Sequence, residues 1–272
     1  MNAIFNSVIQ ILDSSDEFHV PGSEVYSALE VIVNNYRKIF AQDVTIEFFG
    51  RETLVTAVQM GNIGTADLFV IHEFILFQKY LKLKKDYVNF IDIGANIGIH
   101  SLIARNLGYQ VFSYEPDPYT FEILEKNISL NLGGVKLFNK AVSAYDGMHN
   151  FIRVEDNLTA SGLADSTKKY YGRLKEIQVE VVDINKVLKP KSVVKIDAEG
   201  SEYKILSAIN FDVVKDLIFL VEISDADSRE LLWSLFSKKE IKMYSQKKSW
   251  LPALGPEDLP SSWREGSFAI KI

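Results

Sequence analysis

The stretch YVNFIDIGANIGIHSL, residues 87–102, decides the fold. YVNFIDIG (87–94) is an apolar run of strand length interrupted only at Asn89 and Asp92, and IGIHSLIARNLG (97–108) has helical spacing and ends at Gly108. Between them Gly94 lets the backbone turn sharply, and Gly98 lets the helix start close against the strand. Such a turn aims backbone N–H groups of a helix N-terminus at one point, which favours a carboxylate or phosphate. The next apolar run, QVFSYEP (110–116), ends in Glu115, 21 residues past Gly94. An acid at that position can accept two hydrogen bonds from ribose hydroxyls.

Outward from this unit the pattern repeats. PYTFEILEKNISLNLG (118–133) is a helix and VKLFNKAVS (135–143) a third strand; SVVKIDAEG (192–200) and LIFLVEIS (217–224) are further buried strands. A helix follows near 227–238, and KMYSQ (242–246) with SFAIKI (267–272) closes the sheet. Residues 149–154 and 176–182 read as extra strands. Near-continuous apolar strands alternating with helices predict a doubly wound, mostly parallel α/β sheet, Rossmann-like in plan, covered on both faces. Upstream, residues 1–12 and a segment capped by Ser23 read as amphipathic helices, VTIEFFG-RETLVTAVQ as a hairpin turning at Gly50-Arg51, and 65–82 as one more helix. The division expected is an N-terminal helical and hairpin extension at 1–85 and a ligand-binding domain at 86–272. The apolar faces of the extension are expected to cover the sheet edge, cap an acceptor or form a homodimer.

Composition narrows the partners. The chain has 272 residues, a net charge of −6 and no cysteine, which removes thiolate metal sites, disulfides and cysteine nucleophiles. An acidic protein is a poor general ligand for nucleic acid or anionic membrane. No apolar run approaches the ~18 residues of a membrane span, and the first residues lack the positive region of a signal peptide, so a cytoplasmic location is the expectation.

Two cofactor classes suit a glycine-rich turn. A dinucleotide site expects G-x-G-x-x-G, with the middle glycine against the pyrophosphate; here that place is Asn96 and the loop is G-x-x-x-G. Acids at Asp92 and Glu115, with no clustered bases, suit an amino-acid-linked nucleoside, S-adenosylmethionine, better than a pyrophosphate. The segments FIDIGANIGIHSL (90–102), VFSYEPDPYTFEILEKNI (111–128), NKAVS-AYDG (139–147) and VVKIDAEGSEYKIL (193–206) resemble those of FkbM-type class I methyltransferases, over roughly residues 87–224. The resemblance implies the seven-stranded class I methyltransferase sheet, S-adenosylmethionine as cofactor, and O-methylation of sugar or polyketide hydroxyls. It further implies that Asp92, Gly94, Ala95, Asn96, Gly98, Glu115 and Pro116 line the cofactor, with Lys140, Ala141 and Val142 beside the adenine.

Methyl transfer to an alcohol needs a place for its proton. The fourth core strand ends Lys195-Ile196-Asp197-Ala198-Glu199-Gly200-Ser201-Glu202. Asp197 and Glu199 are the candidate bases, and Glu202 suits the start of the next helix. Lys195 interrupts a buried strand, so it is expected to pair with Asp92 or Glu222. His100, two residues past Gly98, is a further candidate base or a packing residue. Asp197, Glu222 and Asp225 are oxygen donors of the type Mg²⁺ prefers, but carboxylates are common at strand ends and no metal site is assigned. The histidines at 19, 72, 100 and 149 show no ligand spacing. Two irregular segments, 155–172 and 248–266, are expected to form lids, the second placing Trp250 and Trp263 over a small-molecule or glycan acceptor. Beside O-methylation stand N-methylation on the same fold and a catalytically silent cofactor-binding scaffold.

Overall fold

A computed structural model describes residues 2–212, 214–223 and 225–272. The chain opens with two amphipathic helices, α1 (Asn2–Ser14) and α2 (Glu24–Tyr36), the latter capped by Ser23, whose hydroxyl accepts the Tyr26 N–H at 3.3 Å. Strands β1 (Val44–Phe48) and β2 (Arg51–Val55) form the hairpin. Its turn falls at Phe49-Gly50, with φ of 53° and 77°, one residue before the predicted place. Two-residue turns of this twist need positive φ at both centres, and here a phenylalanine takes the first. The helix expected over 65–82 is a 3₁₀ turn at Thr65–Leu68 followed by α3 (Ile71–Leu83). Phe74, Ile75, Phe77 and Tyr80 bury α3 on several sides, which no amphipathic surface helix would do.

The chain then runs β3 (Asn89–Ile93), α4 (Ile99–Asn106), β4 (Gln110–Tyr114), α5 (Pro118–Leu130) and β5 (Val135–Phe138). The predicted third strand breaks at Asn139-Lys140, and its second half, β6 (Ala141–Ser143), leaves the main sheet. There follow β7 (Gly147–Val154), β8 (Leu174–Asp183), α6 (Ile184–Val187), β9 (Ser192–Ile196), α7 (Glu202–Ser207), β10 (Leu217–Glu222) and α8 (Ala226–Lys238). Strands β11 (Met243–Ser245), β12 (Leu251–Pro252) and β13 (Ser267–Lys271) complete the chain. The main sheet has the order β12-β11-β13-β10-β9-β3-β4-β5, with β13 antiparallel to both its neighbours. The eighth strand is the two-residue β12 at the edge; the other seven are the predicted doubly wound sheet. The chain builds outward from β3 to β5 and then crosses back to place β9 beside β3, so the switch point lies between β3 and its neighbours. A second sheet, Gly162–Leu163 with β7, β8 and β6, carries the insertion.

Strand alternation divides the core. Ile91 and Ile93, Val194 and Ile196, and Phe219 and Val221 face α6, α7 and α8. Phe90, Val193 and Leu220 face the other way and share a cluster with α1, α2, α3 and the hairpin. By the same two-residue period, Asp92, Lys195 and Glu222 stand on the face that the N-terminal extension covers. The extension is also tied to the C-terminal loop. His19, fully buried, has its Nε2 2.9 Å from the Leu12 carbonyl, and its Nδ1 accepts the Trp250 indole N–H at 2.8 Å. These two bonds fix one neutral tautomer, and burial holds the imidazole down at about 4. Trp250 is thus a packing anchor rather than part of an acceptor platform. Trp250→Phe leaves a buried acceptor without its donor, and a loss of about 1–3 kcal/mol in urea unfolding is expected.

Candidate active site

The turn after β3 is shaped by what presses on it. Gly94 has φ 77°, and a Cβ there would lie 1.9 Å from the Asp197 carbonyl oxygen at the end of β9. Gly98 has φ 94°, and its Cβ would lie 2.5 Å from Leu124 of α5. Gly94 therefore needs glycine for space as well as for conformation, whereas at Gly98 the neighbour is a side-chain end that can move and the positive φ is what asks for glycine. Asn96 is left-handed too, φ 51°, and its own Oδ1 accepts the Ile97 N–H at 2.7 Å. Glu115 closes the turn from the neighbouring strand: Oε2 accepts the Asn96 N–H at 2.9 Å and Oε1 the Asp117 N–H at 3.0 Å. Burial pushes this carboxyl up to about 8, the two N–H bonds working against it and the charges of Asp117 and Asp92 with it. Asp117 is itself held by Arg153 of β7, Nε to Oδ2 at 2.6 Å.

Strand register places Lys195 beside Asp92. The Lys195 ammonium is 3.7 Å from Asp92 Oδ1 and 3.4 Å from Asp197 Oδ2. Burial alone would lower its pKa, but Asp197 and Asp92 outweigh that and hold it above the ordinary lysine range. The other oxygen of Asp92 accepts from Ser101 Oγ at 2.6 Å. After Asp197 the loop reverses through Glu199, φ 50°, whose carboxylate meets Lys168 from the insertion. Glu202, at the start of α7, accepts the Ala198 and Gly200 N–H groups and so holds that loop in shape.

A cavity of about 830 Å³ opens over this end of the sheet, within the usual size for small-molecule sites. Gly94, Asn96, Glu115, Pro116, Lys140, Ala141 and Val142 line one part of it; Asp197 and Glu199 line another. Asp92, Ala95, Gly98, Lys195 and His100 stand behind the wall. Asp92 is turned into the sheet by Ser101 and Lys195, Ala95 packs against Leu102 and Leu124, and Gly98 abuts α5. His100 donates or accepts one shell back, with Nε2 3.0 Å from Glu73 and Nδ1 2.9 Å from the Tyr80 hydroxyl. Both irregular segments reach the cavity, one through residues 157–163 and Lys168, the other through Trp263 and Arg264. Asp225 does not join the carboxylates: it caps α8, accepting the Ser228 N–H at 2.7 Å.

Sequence reasoning missed His72 and Glu73, which α3 sends into the same cavity opposite Glu222. A detectable signal existed, since an adjacent imidazole and carboxylate stand at the start of the otherwise apolar run IHEFILF. Although burial opposes it, His100, His72 and Lys195 draw the Glu73 carboxyl down to about 2. Glu199 is pushed up to about 7, by burial first and then by Asp197. Glu222 rises well above the ordinary range, through burial and the charges of Asp197 and Glu73.

A mostly parallel sheet with this strand order, β13 inserted antiparallel between β10 and β11, and a glycine turn facing an acid across the switch point is the class I methyltransferase fold. The methyltransferase FkbM domain model matches residues 92–247, more than half the chain. The chain belongs to that family. Hexuronic acid methyltransferase AglP of Haloferax volcanii is 31% identical over 132 residues, 46% of this chain and 54% of that protein, so the match spans about half of the relative. Among solved structures the chain is similar to Trm5b of Pyrococcus abyssi, with TM-score 0.42, 11% identity, and 84% of this chain and 55% of that one covered. It is also similar to precorrin-6y C5,15-methyltransferase of Geobacter metallireducens, with TM-score 0.39, 11% identity, and 72% and 85% covered. Among the described residues no helix is long and apolar enough to cross a membrane.

Glu115 makes a pH prediction. Its carboxyl ordinarily titrates near 4.5 and in the fold at about 8. Between those values the unfolded chain releases this proton while the folded chain keeps it, so stability falls as pH rises through that window. Glu199 and Glu202, both pushed up to about 7, act in the same direction. In urea titrations of the free protein the Glu115→Gln variant should therefore show a shallower decline in midpoint from about pH 5 to about pH 8, while retaining the part due to the other two acids.

Proposed function

We propose that this chain is a methyltransferase that uses S-adenosylmethionine to methylate a hydroxyl of a sugar, within a glycan or a small metabolite. The observation that carries the reading is a single cavity joining the glycine turn and Glu115 to a cluster of carboxylates at the ends of β9 and β10. The donor end fits the cofactor. Glu115 already spends one lone pair of each oxygen on a backbone N–H, which fixes its orientation and leaves acceptor capacity for a ribose diol. Gly94 and Asn96 supply the turn, and Lys140, Ala141 and Val142 the wall for a flat base. When bound, S-adenosylmethionine supplies a methyl group on a cationic sulfur, which an acceptor oxygen displaces to leave the neutral thioether.

At the other end Asp197 is the residue to take the hydroxyl proton. It borders the cavity, and Lys195 stabilises its charge from behind at 3.4 Å. Glu199, titrating at about 7, is suited to share that proton or to orient the acceptor. Trp263, 46% exposed, offers an aromatic face at the cavity edge, and Arg264 lies over that ring at 5.1 Å. Such a face suits a sugar ring, and a guanidinium beside it suits an acceptor carrying a carboxylate. The similarity to a hexuronic acid methyltransferase supports the same acceptor class.

The test is calorimetry with S-adenosylhomocysteine, followed by methyl transfer to a panel of sugars with and without a uronic carboxylate. Transfer to a sugar oxygen is expected. Glu115→Ala should weaken nucleoside binding by about 1–3 kcal/mol, the scale for hydrogen bonds to a charged group. Binding without transfer to any hydroxyl would overturn the reading in favour of a silent cofactor-binding module, and transfer to nitrogen in favour of an N-methyltransferase.

A further inference from the structure

We infer that His72, Glu73 and Glu222 form a binding site for a divalent transition-metal ion in the wall of the cavity. One ligand atom from each residue lies within 4.8 Å of the others. Metal–ligand bonds of about 2.0–2.2 Å set ligands at most about 4.4 Å apart, so a small side-chain rotation closes the triad on an ion. His72 is only 7% exposed and borders the cavity, yet among the described residues neither ring nitrogen makes a hydrogen bond. The nearest charged atom is Glu73 Oε1, at 3.7 Å. An imidazole at the cavity wall with no hydrogen-bond partner among the described residues has a nitrogen lone pair available to a metal ion. Glu222 likewise makes no hydrogen bond among the described residues and faces the same point from the end of β10.

The surroundings resemble a support for ligands rather than a chance meeting of acids. His100 holds Glu73 Oε2 at 3.0 Å and is in turn held by Tyr80 at 2.9 Å, so the Oε1 side of Glu73 is presented towards His72. Outer partners of this kind orient metal ligands. One imidazole and two carboxylates favour Mn²⁺, Fe²⁺ or Zn²⁺ over an ion that prefers oxygen alone. Three protein ligands leave coordination positions open towards the cavity, the arrangement of a catalytic rather than a structural site. There the ion would hold an acceptor hydroxyl and ease transfer of its proton to Asp197. That role rests on the proposed methyl transfer; binding of the ion does not.

The test uses the full chain, stripped with a chelator and titrated with Mn²⁺, with electron paramagnetic resonance counting bound ions. About one ion per chain is expected, with electron spin-echo modulation from a single coupled imidazole nitrogen. His72→Gln and Glu222→Gln should each weaken binding by about 10–100-fold or more, at least the loss seen when only a supporting residue is removed. Absence of stoichiometric binding, absence of nitrogen coupling, or affinity unchanged in both variants would overturn the inference. The modulation measurement is made on the unmutated protein, so it decides even where a variant fails to fold. S-adenosylhomocysteine calorimetry on the same samples separates the two readings: nucleoside binding without Mn²⁺ removes only the metal site, and Mn²⁺ binding without nucleoside removes only the methyl-transfer reading.

Discussion

An ammonium with almost no solvent exposure, Lys195, stands between Asp92 and Asp197, and the arrangement of the site follows from keeping that charge satisfied. A buried ion is tolerated only with partners of opposite sign in good geometry. Parallel register supplies one partner, by placing Asp92 of β3 directly beside Lys195 of β9. The strand's exit into the loop supplies the other. Asp92 is in turn anchored through Ser101 to α4, so the charge pair links the first strand, its helix and the fourth core strand at the point where the chain reverses direction in the sheet. The glycine turn depends on the same closeness: the Asp197 carbonyl approaches Gly94 so nearly that no side chain fits. Charge pairing and turn geometry are therefore two results of one packing of β3 against β9.

This also explains why the fold was legible from a few segments. Strands buried on both faces cannot hide their apolar character, and β3, β4, β9 and β10 all read as such. Gly94, Gly98 and Glu115 stood out because turn chemistry is local. Lys195 was conspicuous because a cation in an apolar strand demands a partner, and Asp92 met that demand. Tertiary closure was less legible. His72 and Glu73 belong to a helix whose burial on several sides blurs its periodicity, and their neighbour Glu222 is about 150 residues further along the chain. Phe49 in a left-handed turn and the break at Asn139-Lys140 were missed for a related reason: packing overrode the local preference. Trp250 and Trp263 looked alike in sequence, yet a buried histidine some 230 residues away claimed the first and left the second at the cavity edge.

The electrostatics of the cavity are uneven in a way that separates its two ends. Beside the glycine turn Glu115 is held by backbone N–H groups, and burial outweighs those bonds and pushes its carboxyl up to about 8 in the free protein. At the other end Glu73, Asp197, Glu199 and Glu222 crowd together, but cationic or imidazole groups reach them unequally. Glu73 has His100 and His72 and is drawn down, Glu199 has Lys168 yet stays near neutrality, and Glu222 has the least support and rises furthest. Carboxyl groups lining one cavity, with Glu73, Glu199 and Glu222 spread so widely in proton affinity, are what proton transfer near neutral pH requires.

The parts of the cavity also differ in where they come from. The residues that face the nucleoside in our reading, Gly94 to Val142, lie within the stretch matched by the family model, residues 92–247. Those that face the acceptor are divided. Asp197, Glu199 and Glu222 lie inside the matched stretch, but His72, Glu73, Trp263 and Arg264 lie outside it. The extension reaches the cavity because it must cover the sheet face that carries Asp92, Lys195 and Glu222. An apolar helix laid over that face would leave three ionisable groups against hydrocarbon. Instead α3 brings a carboxylate and an imidazole, Glu73 and His72, to meet them, and Glu73 also pairs with His100 of α4. Covering the core and completing the site are thus one act of packing, and changes in the extension that preserve its apolar faces but alter residues 72 and 73 would leave the fold in place while changing what the cavity can hold.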